Sequence, residues 1–347
     1  MHRVQWRPRP RLLPPRRALA PPGASRLYLH HPREAKGFHH GTALVAAHRD
    51  SVLFRVVAPI ATPYYPWCCY ADYFVCKAGG PSGLSLSGPL PPCYVDDGRR
   101  MAGHGQPERS HMLDARDIGL LRRGEEEFAV ADHKVLIPGD NESAPVAAEL
   151  FRYRSAAAGP RQWEAKRLLI RRRGEGTGHG LRWWTTDKVV SFEGYLCWID
   201  YFRGILFTDV LGEDPELRYV ELPVEPPEGN PDHPELGRSH PFVTRSVCVT
   251  DGGGAMRFVD VARADGEIAS KRRPGSGFTM TVWSLVTPLD SERIAWAMDG
   301  AIEAGKLWAH DSYARLRLPL LSPEFPFVSL REPSVVYAVL REIEALR

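Results

Sequence analysis

Turn-forming residues recur every six to ten positions between Lys188 and Leu222, and no other feature of this chain restricts its fold as much. The apolar runs Lys188 to Phe192, Tyr195 to Asp200, Gly204 to Leu211 and Leu217 to Leu222 are too short for helices. Glu193-Gly194, Arg203-Gly204 and the stretch Gly212-Glu213-Asp214-Pro215 separate them. A residue followed by glycine between two apolar runs signals a tight hairpin, because such turns need positive φ. The segment is therefore expected to be a four-stranded antiparallel meander.

A second set of short runs follows a Pro-rich connector at residues 223–240: Arg245 to Thr250, Ala255 to Ala262 and Phe278 to Val286. Strands are also expected at Ile294 to Met298, Lys306 to Trp308, Phe327 to Leu330 and Val335 to Leu340. Trp198 with Trp283, and Asp209 with Asp260, are read as comparable positions of a repeated unit. Repeated meanders bury both faces and protect their edges best in a radial array. The expected fold is all-β and β-propeller-like, an incomplete ring of four-stranded antiparallel meanders. A β-sandwich is the alternative, weakened by the short hairpins.

The 31 prolines and 31 glycines divide between those turns and an N-terminal arm. Residues 1–33 hold eight arginines and no acidic residue. The arm is formally +8, so a total of +3 leaves −5 on the remainder. Seven prolines within the first 32 residues forbid a sustained helix. Residues 1–45 are expected to be a disordered basic arm, 46–115 a poorly specified strand and loop region, 116–342 the repeated body and 343–347 a tail.

An organelle transit peptide is an alternative for the arm, although its prolines spoil an amphipathic helix. No apolar run reaches the length of a membrane helix. The six cysteines form no Cys-x-x-Cys pair, which fits a reducing compartment in the cytosol or nucleus.

Several ordered motifs resemble one plant family. They are Gly119 to Glu125 (GLLRRGE), Trp183 to Val190 (WWTTDKVV), Leu196 to Phe207 (LCWIDYFRGILF), Asp214 to Val220 (DPELRYV), Leu222-Pro223, and Arg245 to Gly253 (RSVCVTDGG). Together they resemble the grass-expanded domain of unknown function 1618 family, over about residues 115 to 342. The resemblance implies a plant protein of propeller type and carries over no catalytic residue. Trp183, Trp184, Asp187, Lys188, Trp198, Asp200 and Asp209 mark its core motifs.

Motifs for chemistry are sparse. Gly300 to Lys306 spells Gly-x-x-x-x-Gly-Lys, but Leu307 stands where a magnesium-binding hydroxyl belongs. The glycine-rich stretch Gly174 to Gly180 reads as a flexible turn. The histidines, among them His104, His111 and His133, lack a ligand spacing, so neither metal nor cofactor is expected.

Asp187, Asp200 and Asp209 are expected to tie down turns by accepting backbone N–H bonds. The alternative is an enzyme using these carboxylates in a central channel. Adjacent Trp183 and Trp184, if in a strand, face opposite ways, which makes them a recognition patch. The sequence thus points to a non-enzymatic protein-binding or scaffold module. Its expected partner is another protein, not a membrane, with nucleic acid reached only through the arm.

Overall fold

Strands account for nearly all regular structure in the computed structural model, which describes residues 11–13, 28–30, 43–59, 69–80, 83–96, 108–136, 145–156, 162–172, 179–225, 239–250, 254–266, 274–286, 288–291 and 294–341. The chain divides into two units, Met1–Ala131 with Tyr153–Glu164, and Asp132–Arg152 with Ala165–Arg347. Residues 1–42 of the basic arm lie outside the described residues except for β1 (Arg11–Leu13) and β2 (Tyr28–His30), which pair antiparallel. No described helix is long and apolar enough to cross a membrane.

In the first unit, β3 (Ala43–His48), β4 (Ser51–Pro59), β5 (Cys69–Gly80) and β6 (Gly83–Leu86) form a four-stranded antiparallel meander. Its core is Phe54, Val56, Phe74 and Cys76, with the cross-strand rings of Phe54 and Phe74 stacked at 5.3 Å. Such pairs stabilise a sheet beyond their buried area. Of the aromatic residues crowded between Tyr64 and Phe74, Tyr73 and Phe74 are buried in this sheet, and Tyr64, Tyr65 and Trp67 lie outside the described residues. A small antiparallel pair follows, β7 (Tyr94–Asp96) and β8 (Glu108–Ser110).

The next strands are β9 (Gly119–Arg123), β10 (Glu127–Leu136), β11 (Ala147–Arg154) and β12 (Glu164–Arg172). They precede β13 (Lys188–Phe192), β14 (Tyr195–Asp200), β15 (Gly204–Thr208) and β16 (Leu217–Glu221). These eight share one sheet in the order β13-β14-β15-β16-β12-β11-β10-β9. It consists of two runs of four, joined where β12 pairs parallel with β16 through Ile170–Leu217, Arg171–Arg218 and Arg172–Tyr219. The β13–β16 meander matches the turn spacing closely. Glu193 and Gly194 have φ of 48° and 82°, the double positive φ of the tightest hairpin turn.

The second unit continues with β17 (Arg245–Thr250), β18 (Ala255–Arg263), β19 (Phe278–Leu285) and β20 (Trp296–Glu303), again an antiparallel meander in chain order. One face of β13–β16, carrying Cys197, Ile199, Phe207 and Val220, packs against the β17–β20 face carrying Val247, Met256, Phe258 and Trp283. The alternation of period two puts these residues on one face of each sheet, and the buried apolar area holds the layers together. The opposite face of β17–β20 meets the hairpin of β21 (Glu324–Val328) and β22 (Val336–Val339), where Cys248 and Val259 contact Val328 and Val336.

Three expectations need correction. Lys306–Trp308 belongs to a helix, α1 (Ala304–Trp308), followed by α2 (Asp311–Arg315). Ala304 is buried beside Val261 and Phe278, and Ala-Gly-Lys-Leu-Trp offers neither β-branched residues nor alternation. Trp198 and Trp283 are not equivalent, because one lies in the second strand of its meander and the other in the third. Asp209 follows β15, whereas Asp260 lies within β18 paired opposite Arg245. The repeat is one of strand number and turn length, which backbone hydrogen bonding enforces without fixing letters.

Candidate functional site

The motif residues converge on a clasp between residues 180–188 and the hairpin after β14. Trp183 ends a 3-10 turn, His179–Trp183, so Trp183 and Trp184 are not strand neighbours on opposite faces. A helical turn rotates successive side chains by about 120° rather than 180°. The Arg182 guanidinium lies 5.1 Å from the centre of the half-buried Trp183 ring, a cation–π contact. Trp184 turns inward instead. Its Nε1 donates to Thr186 Oγ1 at 3.2 Å, and its ring meets His133 and Tyr219 edge-on.

The three singled-out aspartates each accept backbone N–H bonds. Asp187 Oδ2 accepts from Tyr201 N at 2.8 Å. Asp200 Oδ1 accepts from Phe202 N at 2.9 Å, and its Oδ2 from Thr185 N at 3.0 Å. Asp200 also pairs with Arg203 Nη1 at 3.1 Å, with both side chains almost wholly buried. Arg203 Nε in turn donates to the carbonyl of Gly180, and Tyr219 Oη donates to the Arg203 carbonyl at 3.0 Å. Asp209 sits apart in sequence and closes its own turn, accepting from Leu211 N and Gly212 N, each at 3.0 Å. Arg152 Nη1 donates to carbonyls of that same turn, at Val210 and Gly212.

Lys188 reaches the neighbouring sheet. Its Nζ donates to the Val247 carbonyl at 2.8 Å, while Val247 N donates to Tyr201 Oη at 3.2 Å. Burial pulls the Lys188 ammonium below the usual lysine range, with the nearby Cys248 opposing this. Arg245 donates to the Tyr201 carbonyl at 2.7 Å and to Asp260 Oδ1 at 2.8 Å. These polar bonds register the two stacked sheets at the edge of their apolar contact.

His133, one of the histidines that lack a ligand spacing, is buried in aromatic surroundings. Its ring lies 4.8 Å from that of the fully buried Trp198, and neither ring nitrogen has a hydrogen-bond partner among the described residues. Burial pushes the imidazole down to about 3. The unfolded chain protonates near 6.5, so it binds more protons than the native state between those values. Stability from this residue is therefore complete above about 6.5 and falls by about 1.4 kcal/mol per unit as pH drops through the window. His133→Leu is expected to flatten the pH dependence of urea unfolding and gain about 2 kcal/mol over the wild type at pH 5. Parallel curves for the two proteins between pH 7 and pH 4 would contradict this assignment.

On the far face of β17–β20 lies an open groove of about 750 Å³. Met280, Val282 and Ile302 contribute to its floor side, and Pro333, Ser334 and Val336 line it from the β21–β22 hairpin. Arg257 and Asp299 also line it, paired at 2.7 Å, with Ser284 Oγ donating to Asp299 at 2.6 Å. Gly300, in mid-strand, faces open space, so the Gly-x-x-x-x-Gly-Lys letters form no phosphate loop. Among the described residues, no three His, Cys, Asp or Glu side chains cluster as a metal site.

Residues 198–337 match the family model described as "Protein of unknown function (DUF1618)", and this segment bears out the resemblance seen in its motifs. The match begins at Trp198, within the clasp, and runs through the stacked sheets to β22. No curated protein matches the chain.

Proposed function

We propose that the chain is a non-enzymatic protein-binding module, whose second unit uses stacked propeller-type blades as a scaffold. The observation that carries this reading is the placement of exposed apolar side chains. Thirteen large hydrophobic residues are exposed among the described residues, and ten of them lie between Phe242 and Val339. Val286, Met298 and Leu330 are more than half exposed, and Phe327 and Tyr337 stack at 5.2 Å while holding nearly half their surface in solvent. Scattered exposed leucines need no explanation, but concentration on one part of a fold supports a partner surface.

The commitment of Asp187, Asp200 and Asp209 to backbone amides supports a structural role for them over acid–base work. Trp183 stacked under Arg182 is a second contact candidate, since both residue types are favoured at interface centres. The stacking of successive four-stranded meanders supports the blade reading. The test is affinity capture with the full chain and with a Val286→Asp, Met298→Asp double variant of equal melting temperature. A discrete set of proteins held by the wild type and lost by the variant is expected. Identical retention by both would refute this surface as the binding face.

A further inference from the structure

We infer that the groove beside β22 is a strand-addition slot, which takes one extended segment of another polypeptide as a third strand on the β21–β22 sheet. This rests on the protein-binding reading and specifies its partner. Each sheet stacked beneath has at least four strands, whereas the last layer has two. That pair covers Cys248 and Val259, and Val336 packs against the same cluster as Met280 and Val282 of β19 and lines the groove with them. The next strand position beyond β22 therefore falls over β20, where the groove lies.

The two edge strands that border the groove, β20 and β22, differ in a way that selects β22. Proteins guard exposed strand edges with bulges and charges. β20 carries both: the register shifts between Val282 and Trp283, and Asp299 is held there by Arg257 and Ser284. β22 has neither. Its sequence is Val336-Tyr337-Ala338-Val339, the last three residues are exposed, and among the described strands it is paired only with β21. An uncharged, proline-free, apolar edge is a template for an incoming strand.

The slot's shape sets the partner's chemistry. Main-chain bonds to β22 supply affinity, and alternate apolar side chains point at Met280, Val282 and Ile302. Gly300 leaves room beneath, because nothing lies within 4 Å of where its Cβ would stand. A polar residue meets the Arg257–Asp299 end. A second copy of the chain fits poorly. Antiparallel pairing of β22 with its own copy has a two-fold axis normal to the sheet, which drives the two β20 floors into one volume.

The test is fluorescence anisotropy with a labelled, capped peptide, Lys-Val-Thr-Val-Thr-Val-Thr-Lys, titrated with the full chain and its Gly300→Leu and Val339→Lys variants. A second peptide has the same side chains but every internal backbone nitrogen methylated. The first peptide is expected to bind saturably, at least tenfold more weakly to either variant, and the methylated one not at all. If Gly300→Leu does not fold, Val339→Lys alone decides. Equal binding of both peptides, still sensitive to Gly300→Leu, overturns strand addition while leaving a protein-binding groove. Failure of both peptides overturns the slot, and the capture experiment above then judges the broader reading separately. A dimer in sedimentation that Val339→Lys dissolves also overturns it, by seating a second copy there.

Discussion

Asp200→Ala should cost about 3–5 kcal/mol of unfolding free energy, the loss expected when one partner of a buried ion pair is removed. The Arg203 side chain is 2% exposed and would keep its charge without a carboxylate facing it. The amides of Thr185 and Phe202 would lose their acceptor as well, freeing the segment that carries Trp183 and Trp184. Asp200→Asn retains one carbonyl oxygen for an amide and loses the charge, so it should fall between the wild type and Ala. Urea unfolding measures the loss, and amide exchange at Thr185 locates it. A loss below about 1 kcal/mol, in the range of an exposed pair, would mean that the clasp does not hold this region.

The second large effect is expected at Gly204, where β15 passes β16. A Cβ there would stand 2.3 Å from the Val220 carbonyl oxygen and 2.6 Å from a ring carbon of Tyr219. Neither neighbour can yield cheaply. Val220 is held in the ladder opposite Ile205, and Tyr219 is fixed by its bond to the Arg203 carbonyl and by Arg172, 5.5 Å from its ring centre. Gly204→Ala should therefore lower stability by about 3 kcal/mol or more, at the upper end for overpacking. Gly300→Ala is the matched control, since it meets open space and should stay within about 0.5 kcal/mol of the wild type. Thermal unfolding of the two side by side would show the contrast, and similar melting points would refute the close approach.

Gly204 also shows what was legible in the sequence. It was read as half of a turn, Arg203-Gly204, and the four strands of that meander fall where the turn residues place them. The glycine's second task, admitting a tyrosine ring against the backbone, depends on a strand that arrives later in the chain. β5 was illegible for a related reason. It runs twelve residues, from Cys69 to Gly80, with both faces mixed and a register shift near Ala78, so no period of two stands out. The helix at Ala304 was mistaken for a strand because its few apolar residues, Ala304, Leu307 and Trp308, are set by packing against Val261 and Phe278.

The candidate site was legible only where it depended on local turns. Asp187, Asp200 and Asp209 could be assigned to backbone amides because carboxylates next to hairpin ends do this in most contexts. The burial of His133 could not be read, since its surroundings come from Trp184 and Trp198, 51 and 65 residues onward. The groove was equally hidden. It exists because two strands cover a four-stranded sheet, a fact of layer sizes that no single segment contains.

The parallel join of β12 to β16 has a consequence for how the chain assembles. The hairpins within each meander pair residues close in sequence, whereas this join links Ile170 to Leu217 through only three residue pairs. Closing that longer loop yields few bonds for the entropy lost, so it is favourable mainly after the hairpins on either side already hold their shape. The two runs of four strands are thus set to form from their own local contacts and to meet afterwards, with the join as a late seam.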